Sequence, residues 1–415
     1  MNRRIFAFTV VLSFLLASAG MGQGFRTTEY SSRMVSQVRI DLRDLGYPPI
    51  DVIPSDECAI RALAVSPGGA LYGATSGTRS HLFVLFPENG YVQPLGFLQG
   101  VTTVHRSLVI SKAGYVYIGT AKQVDNNGQG YEGYAGGHLL KYIPKNDESK
   151  PIRIDTPLDV TDLGIPIRGE AVYTLAIDRE RDSIYGLSYP HGQFFSYDIA
   201  AAKFAVHGKV AENIMPGEKF ENEKNISRAL AVDDAGNVFC SGENGSIYRF
   251  DAEKRRLEKL KLTAPTVLGR EPYNRVDAWA KDPSGIFYGG TSDGYLFRLN
   301  PKTLEMDNLG KPLNQYRIRG LVIAPNDKLY GIGGDDDEPA RLFSYDPARG
   351  VYAMLGLIEV NRRPYYAWQA WVIDALAIGN DGTVYLGETE RKSKLYLYYP
   401  EMERRKPAVS KTKGQ

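Results

Sequence analysis

Short apolar segments, each followed by a turn rich in Gly, Asp or Asn, recur seven times along this 415-residue chain. The first segment of each repeat opens on a polar or aromatic residue and continues with an apolar run. These first segments are Arg61-Ala-Leu-Ala-Val, Arg106-Ser-Leu-Val-Ile, Tyr173-Thr-Leu-Ala-Ile, Arg228-Ala-Leu-Ala-Val, Asp277-Ala-Trp-Ala-Lys, Arg319-Gly-Leu-Val-Ile and Asp374-Ala-Leu-Ala-Ile. Because the runs are short and bounded by turn residues, the pattern predicts buried β-strands.

Two further segments follow the first in every repeat. The second ends in Tyr-Gly or a close variant, as in Leu71-Tyr-Gly, and the third contains an aromatic residue, as in Leu82-Phe-Val-Leu. A fourth segment ending in Leu-Gly occurs at Gln93-Pro-Leu-Gly, Val160-Thr-Asp-Leu-Gly, Met306-Asp-Asn-Leu-Gly and Ala353-Met-Leu-Gly. First segments begin 42 (Asp277 to Arg319) to 67 (Arg106 to Tyr173) residues apart, with no useful helical pattern between them. The sequence therefore predicts an all-β fold, a seven-bladed β-propeller.

Both ends of the chain carry segments that we expect to lie outside the repeats. Residues 1–19 combine two arginines, an apolar run and Ala17-Ser18-Ala19, which is typical of an export signal. We therefore expect a periplasmic or extracellular protein, with the propeller over residues 26–400 and a disordered tail over residues 401–415. The seventh repeat lacks a fourth segment, whereas residues 38–46 end in Asp-Leu-Gly like the fourth segment of repeat two. This N-terminal strand is predicted to complete the last blade and close the ring.

Composition narrows the possible functions. The net charge of +2 does not indicate a nucleic-acid partner or an anionic membrane surface, and no later apolar run is long enough to span a bilayer. Cys58 and Cys240 fall in different repeats, so we predict two buried free thiols, although a disulfide remains possible. The chain has no phosphate-binding glycine motif, no nucleophile elbow and no zinc-ligand spacing. We expect a monomer.

Charged residues open most of the first strands. In a propeller these strands surround the axis and begin at one face, so the residues that open them are expected to point into one funnel. They are Arg61, Arg106, Tyr173, Arg228, Asp277, Arg319 and Asp374. If the two aspartates offset two of the four guanidiniums, about two positive charges remain for a ligand, and arginine donors suit a planar carboxylate. The alternative is that these residues pair with one another and close the tunnel.

Four of the five histidines map to the same face. His81 and His138 directly precede the third strands of repeats one and two, His191 lies in the matching loop of repeat three after Tyr189, and His105 precedes Arg106. We expect the loop 121–137 to overhang this face. Aromatic residues that could stack on sugar rings there, or pack within blades, are Tyr131, Tyr134, Tyr365, Tyr366 and Trp368.

With seven repeats and a funnel of Arg, His and Tyr, the chain resembles the seven-bladed propeller polysaccharide lyases. These include the ulvan lyases and the L-rhamnose-α-1,4-D-glucuronate lyases. The specific resemblance lies in the axial pair His105-Arg106 and the downstream Tyr173. It implies cleavage next to a uronic acid by β-elimination. That reaction needs a cation for the C5 carboxylate, a base for the C5 proton and an acid for the leaving O4.

The resemblance also implies roles for individual residues. Arg106, Arg228 and Arg319 would hold the carboxylate, with Arg61 nearby, while His105 and Tyr173 would be the base and the acid in either order. His138 and Tyr189 are further candidates for the proton-transfer roles. The remaining predicted substrate-binding residues are His81, His191, Asp277 and Asp374. The expected partner is an acidic polysaccharide or oligosaccharide. The chemistry needs no cofactor, and a structural calcium ion is left open.

Two other functions fit the same sequence features. A non-catalytic propeller could bind an acidic glycan or a protein partner, since this fold hosts many binding proteins. A lactonase-like hydrolase would need a metal ion at the funnel, and the crowded axial arginines argue against one. Turnover of an acidic sugar separates the first alternative from a lyase, and metal content separates the second.

Overall fold

The computed structural model describes residues 53–88, 91–122, 133–145, 154–211, 226–335, 338–362, 366–389 and 393–400. The predicted export signal (1–19), closing strand (38–46) and tail (401–415) lie outside the described residues. Within the described part, no helix is long and apolar enough to cross a membrane.

Seven small antiparallel sheets, whose strands are joined in chain order, form the blades of a propeller, which confirms the predicted fold class. The strands of blades 1 to 3 are β1 (Ala59–Val65), β2 (Leu71–Ser76), β3 (Ser80–Phe86), β4 (Tyr91–Leu98), β5 (Leu108–Ile110), β6 (Val116–Gly119), β7 (Leu139–Tyr142), β8 (Thr161–Asp162), β9 (Ala171–Asp178), β10 (Ser183–Tyr189), β11 (Gln193–Asp198) and β12 (Lys203–Lys209). Those of blades 4 to 6 are β13 (Ala231–Val232), β14 (Val238–Ser241), β15 (Ser246–Asp251), β16 (Arg256–Thr263), β17 (Val276–Lys281), β18 (Phe287–Thr291), β19 (Leu296–Leu299), β20 (Met306–Gly310), β21 (Ile318–Ile323), β22 (Leu329–Gly333), β23 (Arg341–Asp346) and β24 (Val351–Leu357).

An unpredicted hairpin separates blades 6 and 7. It consists of β25 (Glu359–Arg362) and β26 (Tyr366–Gln369) and forms a sheet of its own. Blade 7 then follows with β27 (Ile373–Ile378), β28 (Val384–Glu388) and β29 (Leu395–Tyr398), three strands within the described residues. Two one-turn 3-10 helices, Glu243–Gly245 and Glu271–Tyr273, are the helical elements of the described part.

The recurring Tyr-Gly signature has a packing cause. Gly73 of β2 pairs with the fully buried Phe83 of β3, and a Cβ on this glycine would lie 2.1 Å from the Phe83 ring. Three other blades repeat the contact with the pairs Gly186–Phe195, Gly289–Phe297 and Gly331–Phe343. Since interiors are close-packed, any side chain at these glycines would push the ring out of the blade. The signature therefore reflects the core of each sheet.

The first and last blades pack against each other. Strand β1 contacts β27, and one apolar cluster joins Ile60 and Phe83 of blade 1 to Tyr385 and Leu395 of blade 7. The Thr389 hydroxyl donates a hydrogen bond of 2.7 Å to the Ile60 carbonyl oxygen. These contacts close the ring through its inner strands. The strand predicted to add a fourth member to blade 7 stays a prediction, because it lies outside the described residues.

The inner strands run in the same direction around the axis. A parallel bridge links Arg106, just before β5, to Thr174 of β9, and the Leu175 amide donates to the Arg106 carbonyl at 3.1 Å. Elsewhere in the ring β17 contacts β21, and β21 contacts β27. Parallel inner strands begin at one face, so the residues that open them meet at one end of the axis.

Both cysteines are free and buried, as predicted. The Cys58 thiol donates to the Ser55 carbonyl oxygen at 3.5 Å, and Cys240 lies in the core of blade 4. Burial raises the pKa of the Cys240 thiol, which keeps it protonated and unreactive. The two cysteines therefore contribute as small apolar side chains.

Candidate functional site

A cavity of about 170 Å³ lies on the axis where the inner strands begin. The charged residues that line it are Arg61, Arg106, Arg228, Arg319 and Asp374. Two positions further along the seven inner strands, the lining residues are Leu63, Leu108, Leu175, Leu230, Trp279, Leu321 and Leu376. Because side chains on a strand repeat every two residues, the charged layer and the apolar layer come from the same side of each strand. The cavity thus has a cationic mouth above an apolar wall.

A smaller pocket at the mouth adds His105 and Tyr173 to the site. It is lined by these two rings together with Arg61, Arg106, Arg228 and Asp374. The rings of His105 and Tyr173 lie 5.1 Å apart between centroids, and Arg228 Nε donates a hydrogen bond of 3.0 Å to the Tyr173 hydroxyl oxygen. The structure therefore brings the predicted proton-transfer pair together with three of the predicted arginines.

Asp374 is the carboxylate shared by three axial arginines. Its Oδ1 accepts from Arg319 Nη1 at 2.7 Å, from Arg228 Nη1 at 3.4 Å and from Arg106 Nη2 at 3.5 Å. Burial alone would raise the pKa of Asp374, but these three guanidiniums hold it well below its usual range. Asp374 is therefore ionised, and its single negative charge is shared by three positively charged guanidiniums.

Arg106 shows the electrostatic strain of this arrangement. The pKa of Arg106 is lowered to about 10, chiefly by burial; Asp374 raises the pKa and the neighbouring Arg228 lowers it, and both effects are included in that value. One of its terminal nitrogens, Nη1, donates to the backbone carbonyl of Asp277. A second anion near this guanidinium would stabilise its charged form, because opposite charges a few ångströms apart attract strongly in a desolvated site.

The carboxylate of Asp277 lies outside the axial cavity and pairs with two arginines that are not ring residues. Its side chain is fully buried and does not line the axial cavity. Its carboxylate accepts from Arg275 Nε at 2.6 Å and from Arg317 Nε at 3.0 Å. Burial would raise the pKa of Asp277, but Arg275 and Arg317 hold it far below its ordinary value. Asp277 therefore pairs directly with Arg275 and Arg317, and it acts on the ring arginines Arg106 and Arg228 by longer-range attraction.

Arg275 and Arg317 were not predicted as site residues. Each stands two positions before a ring residue, Asp277 and Arg319 respectively, and lies just before strand β17 or β21. Around this end of the axis, the described residues place six arginines (Arg61, Arg106, Arg228, Arg275, Arg317 and Arg319) near three aspartates (Asp277, Asp335 and Asp374). Positive charge is in excess.

Arg319 and Arg61 differ in how far their donors are used. The Arg319 side chain is 2% exposed and donates to Gly334 O at 2.8 Å, to Asp374 at 2.7 Å and to Asp335 at 3.0 Å. Arg61, in contrast, forms no ion pair with any described residue, and its buried Nε has no hydrogen-bond partner among them. Arg61 is therefore the better placed of the two to accept a new anion, whereas Arg319 mainly holds Asp374.

Three predicted histidines lie away from the axial cavity. His81 is fully buried, with Nε2 2.6 Å from Glu57, and burial lowers its pKa. His191 Nδ1 lies 3.2 Å from Glu170, and His138 Nδ1 lies 2.8 Å from Asp162. None of the three lines the axial cavity or the pocket at its mouth, contrary to the expectation that all four mapped histidines share one funnel.

The predicted aromatic residues fall into two groups. Tyr189 is buried, and the centre of its ring lies 5.7 Å from that of Tyr173. It therefore packs against a residue of the mouth pocket without lining the pocket itself. Tyr134 packs against the core shared by blades 3 and 4, and burial raises its pKa to about 12. The other four lie outside the described side chains: Tyr131, Tyr365, and Tyr366 and Trp368 of β26.

Within the described residues, no group of three or more His, Cys, Asp or Glu side chains is arranged to hold a metal ion. The donor set at the axis is instead cationic, which suits an anionic ligand.

No protein-family model matches the chain, and no curated protein matches it by sequence. Solved propellers are similar in fold. The extracellular domain of a protein described as a one-component system of B. thetaiotaomicron gives a TM-score of 0.54 at 16% identity, and the match covers 84% of this chain and 39% of that one. Virginiamycin B lyase from Staphylococcus aureus gives 0.56 at 9% identity, covering 85% and 98%. The WD40 propeller domain of Doa1 gives 0.52 at 10% identity, covering 83% and 94%. At these identities the likeness shows the fold alone.

Proposed function

We propose that the axial site binds the carboxylate of an acidic sugar and that the protein is a polysaccharide lyase acting by β-elimination. The observation that carries this proposal is the mouth pocket, in which two proton-carrying rings, His105 and Tyr173, line the same space as Arg61, Arg106 and Arg228. A site for β-elimination next to a uronate needs these components within one sugar ring of each other. One similar propeller is itself a lyase, which fits the proposal at the level of fold.

In the proposed reaction the guanidiniums act first as an electrostatic clamp. Arg61 and Arg106 would face the C5 carboxylate of the bound uronate, since Arg61 Nε has no partner among the described residues and Arg106 shares Asp374 with two other arginines. When the C5 proton leaves, negative charge spreads onto the carboxylate as an enolate. Fixed cations in a desolvated site stabilise that charge more in the transition state than in the bound substrate.

Proton transfer falls to His105 and Tyr173. One of them takes the proton from C5, and the electron pair of that C–H bond forms the C4–C5 double bond. The C4–O4 bond breaks, its electron pair goes to O4, and the other ring protonates this leaving oxygen. Arg228 Nε donates to the Tyr173 oxygen at 3.0 Å, and this bond stabilises negative charge on the phenol.

A binding protein without turnover is the second candidate. It is favoured by Asp374, which already accepts from three of the axial arginines and so offsets part of their charge. In that case the funnel would hold an acidic glycan or an acidic segment of a protein and leave it intact. Both functions predict carboxylate binding, and only one predicts an unsaturated product.

The test is a screen of uronic-acid polysaccharides with two readouts on the same samples. Ultraviolet absorbance follows the unsaturated uronate that β-elimination creates, and calorimetry follows binding. We expect both signals with the wild-type protein. Binding should weaken roughly 30-fold or more in Arg106→Ala, because truncating one partner of a buried charge pair costs about 2 kcal/mol or more.

The matched control is Arg298→Ala, which removes a half-exposed arginine paired with Asp307 on β19, away from the axis. Binding without absorbance would assign the protein to the binding class. If Arg106→Ala binds every polymer as tightly as Arg298→Ala does, the axial site is not where the glycan is held.

A further inference from the structure

Apolar and aromatic side chains are exposed beside the funnel, on the segments that lead into β17 and β21. Leu268 is 93% exposed, and Val267, Tyr273 and Tyr316 are 37%, 37% and 45% exposed. We call these four residues, together with Lys311, the rim patch. Large apolar side chains grouped at the surface of a soluble domain commonly mark a binding surface.

The rim patch continues the axial site. Tyr316 directly precedes Arg317, and Tyr273 stands two residues before Arg275. These two arginines are the ones that share the buried carboxylate of Asp277. The exposed tyrosines are thus fixed, through the chain itself, at the same end of the axis as the cationic mouth.

Hydrogen bonds hold the two rim segments together. The Ser292 hydroxyl donates to the Tyr273 carbonyl oxygen at 3.0 Å, and the Arg317 amide donates to the Ser292 carbonyl oxygen at 3.1 Å. Arg270, which pairs with the buried Asp293 at 2.8 Å, places its guanidinium 5.1 Å from the centre of the Tyr316 ring. A surface that is ordered before binding loses less entropy when a ligand arrives.

Lys311 gives the rim patch its charge. Its ammonium lies 5.2 Å from the centre of the Tyr316 ring and 5.7 Å from that of Tyr295, and it forms no ion pair with the described residues. It can therefore meet an anionic group of a ligand that lies on the tyrosines. Aromatic faces, an exposed leucine and one unneutralised cation together fit an acidic sugar better than a neutral one.

We infer that the rim patch is a second sugar subsite, which binds the residues of an acidic glycan that flank the uronate held in the funnel. This inference rests on the proposed function of the axial site. The affinity of the protein would then depend on the length of the glycan. A single uronate would contact the arginines only, whereas a longer chain would also contact Tyr273 and Tyr316.

The experiment measures affinity for free D-glucuronate and for oligoglucuronates from the disaccharide to the hexasaccharide. We expect the wild-type affinity to rise with chain length. In Tyr273→Ala and Tyr316→Ala the affinity for the hexasaccharide should fall by roughly three- to tenfold per tyrosine, while the affinity for glucuronate stays unchanged. The matched control is Tyr399→Ala, which removes a tyrosine of similar exposure (44%) that follows β29 at the opposite face.

Three results would count against the inference or separate it from the proposed function. Hexasaccharide binding that is the same in the rim variants and in Tyr399→Ala overturns the rim subsite and leaves the axial site standing. Binding that depends on Tyr273 and Tyr316 but not on Arg106 contradicts the axial site and leaves the rim patch as a glycan surface. Absence of binding at every chain length overturns both.

Discussion

Arg228 Nε donates a hydrogen bond of 3.0 Å to the hydroxyl oxygen of Tyr173, although the two residues are 55 positions apart in the chain. Arg228 lies just before the inner strand of blade 4, and Tyr173 lies near the start of the inner strand of blade 3, so the bond links two neighbouring blades. It also fixes the tyrosine against a guanidinium whose own Nη1 faces Asp374 at 3.4 Å. In the proposed reaction, this bond would position the phenol for proton transfer beside a bound carboxylate.

Changing Tyr173 to Phe tests whether the hydroxyl carries a proton. The ring still packs against His105 and Tyr189, so we expect ligand affinity to change little. Turnover should fall by roughly 100-fold or more, the usual contribution of a positioned acid or base. The measurement is kcat and KM on an acidic glycan, with Tyr399→Phe as the control. A variant with normal kcat and raised KM would show that the hydroxyl only supports Arg228.

The pH dependence of binding tests the role of Arg106. Its pKa is lowered to about 10 by burial, so it is charged below that pH and loses its proton above it. Carboxylate affinity should therefore be constant through neutral pH and fall as the pH rises through about 10. A bound carboxylate raises the pKa of Arg106 in turn, so the midpoint should move upward in the complex.

Tyr173 lines the same pocket, and its phenol also carries a proton that can be lost, so the experiment is repeated in Tyr173→Phe. The alkaline loss of affinity should persist in that variant. It should disappear in Arg106→Ala, whose weaker binding has no such transition. An alkaline loss that vanishes with the tyrosine hydroxyl would assign the transition to Tyr173 instead.

Asp374→Asn tests whether one carboxylate organises the axial arginines. The change keeps the shape of the side chain and leaves Arg106, Arg228 and Arg319 without their shared anion. We expect the free energy of unfolding at neutral pH to fall by about 3 kcal/mol, as when one partner of a buried ion pair is removed. Folded Asp374 has a lowered pKa, so its contribution is present above the pKa of an unfolded aspartate and is lost in strong acid.

Two outcomes of the Asp374→Asn measurement bear on function. The stability difference from wild type should shrink as the pH falls well below the usual aspartate range. Added glucuronate should raise the melting temperature of Asp374→Asn more than that of the wild type, because the three guanidiniums then lack the anion they share. An equal effect of glucuronate on both proteins would mean that the ligand does not use these arginines.

The ring of blades could be predicted because its signals are local. The Tyr-Gly signature recurs because Gly73 must accept the ring of Phe83, and three other blades repeat that contact. The positions that open the inner strands could be identified by alignment of the repeats, so five of the six residues around the mouth pocket were found from that register. The sixth, His105, was found because it precedes one of them.

The pairing within the site could not be predicted in the same way. Which arginine a buried aspartate contacts depends on side-chain direction, and Asp277 turns to Arg275 and Arg317, two residues that the register argument left out. Both arginines lie just before strands β17 and β21, and the register of each strand shifts at its start, so the alternation of strand side chains does not locate them. Register alone gives the position of a residue along the axis, not its partner.

The histidine assignments failed for a related reason. His81 lies in the third strand β3 and His191 lies just before the third strand β11, and each contacts a glutamate that stands just before the inner strand of its own blade. Glu57 and Glu170 are 24 and 21 residues away in the chain, and no short motif links either pair. A buried carboxylate beside a histidine ties the loop between the second and third strands to the inner strand, which is a structural role.

The last prediction concerns closure of the ring by residues 38–46. All four residues of β29 are at most 4% exposed, whereas the outer strand of blade 3, β12, is largely exposed. Strand β29 therefore has the burial of an inner member of a four-stranded blade. Deleting the residues between the predicted export signal and Tyr47 should lower the free energy of unfolding by roughly 3 kcal/mol or more, about the contribution of two buried aliphatic side chains. Deleting residues 401–415 is the control and should change nothing. Urea denaturation of the two truncated proteins decides between the possibilities: equal midpoints would show that the N-terminal segment is not part of the last blade.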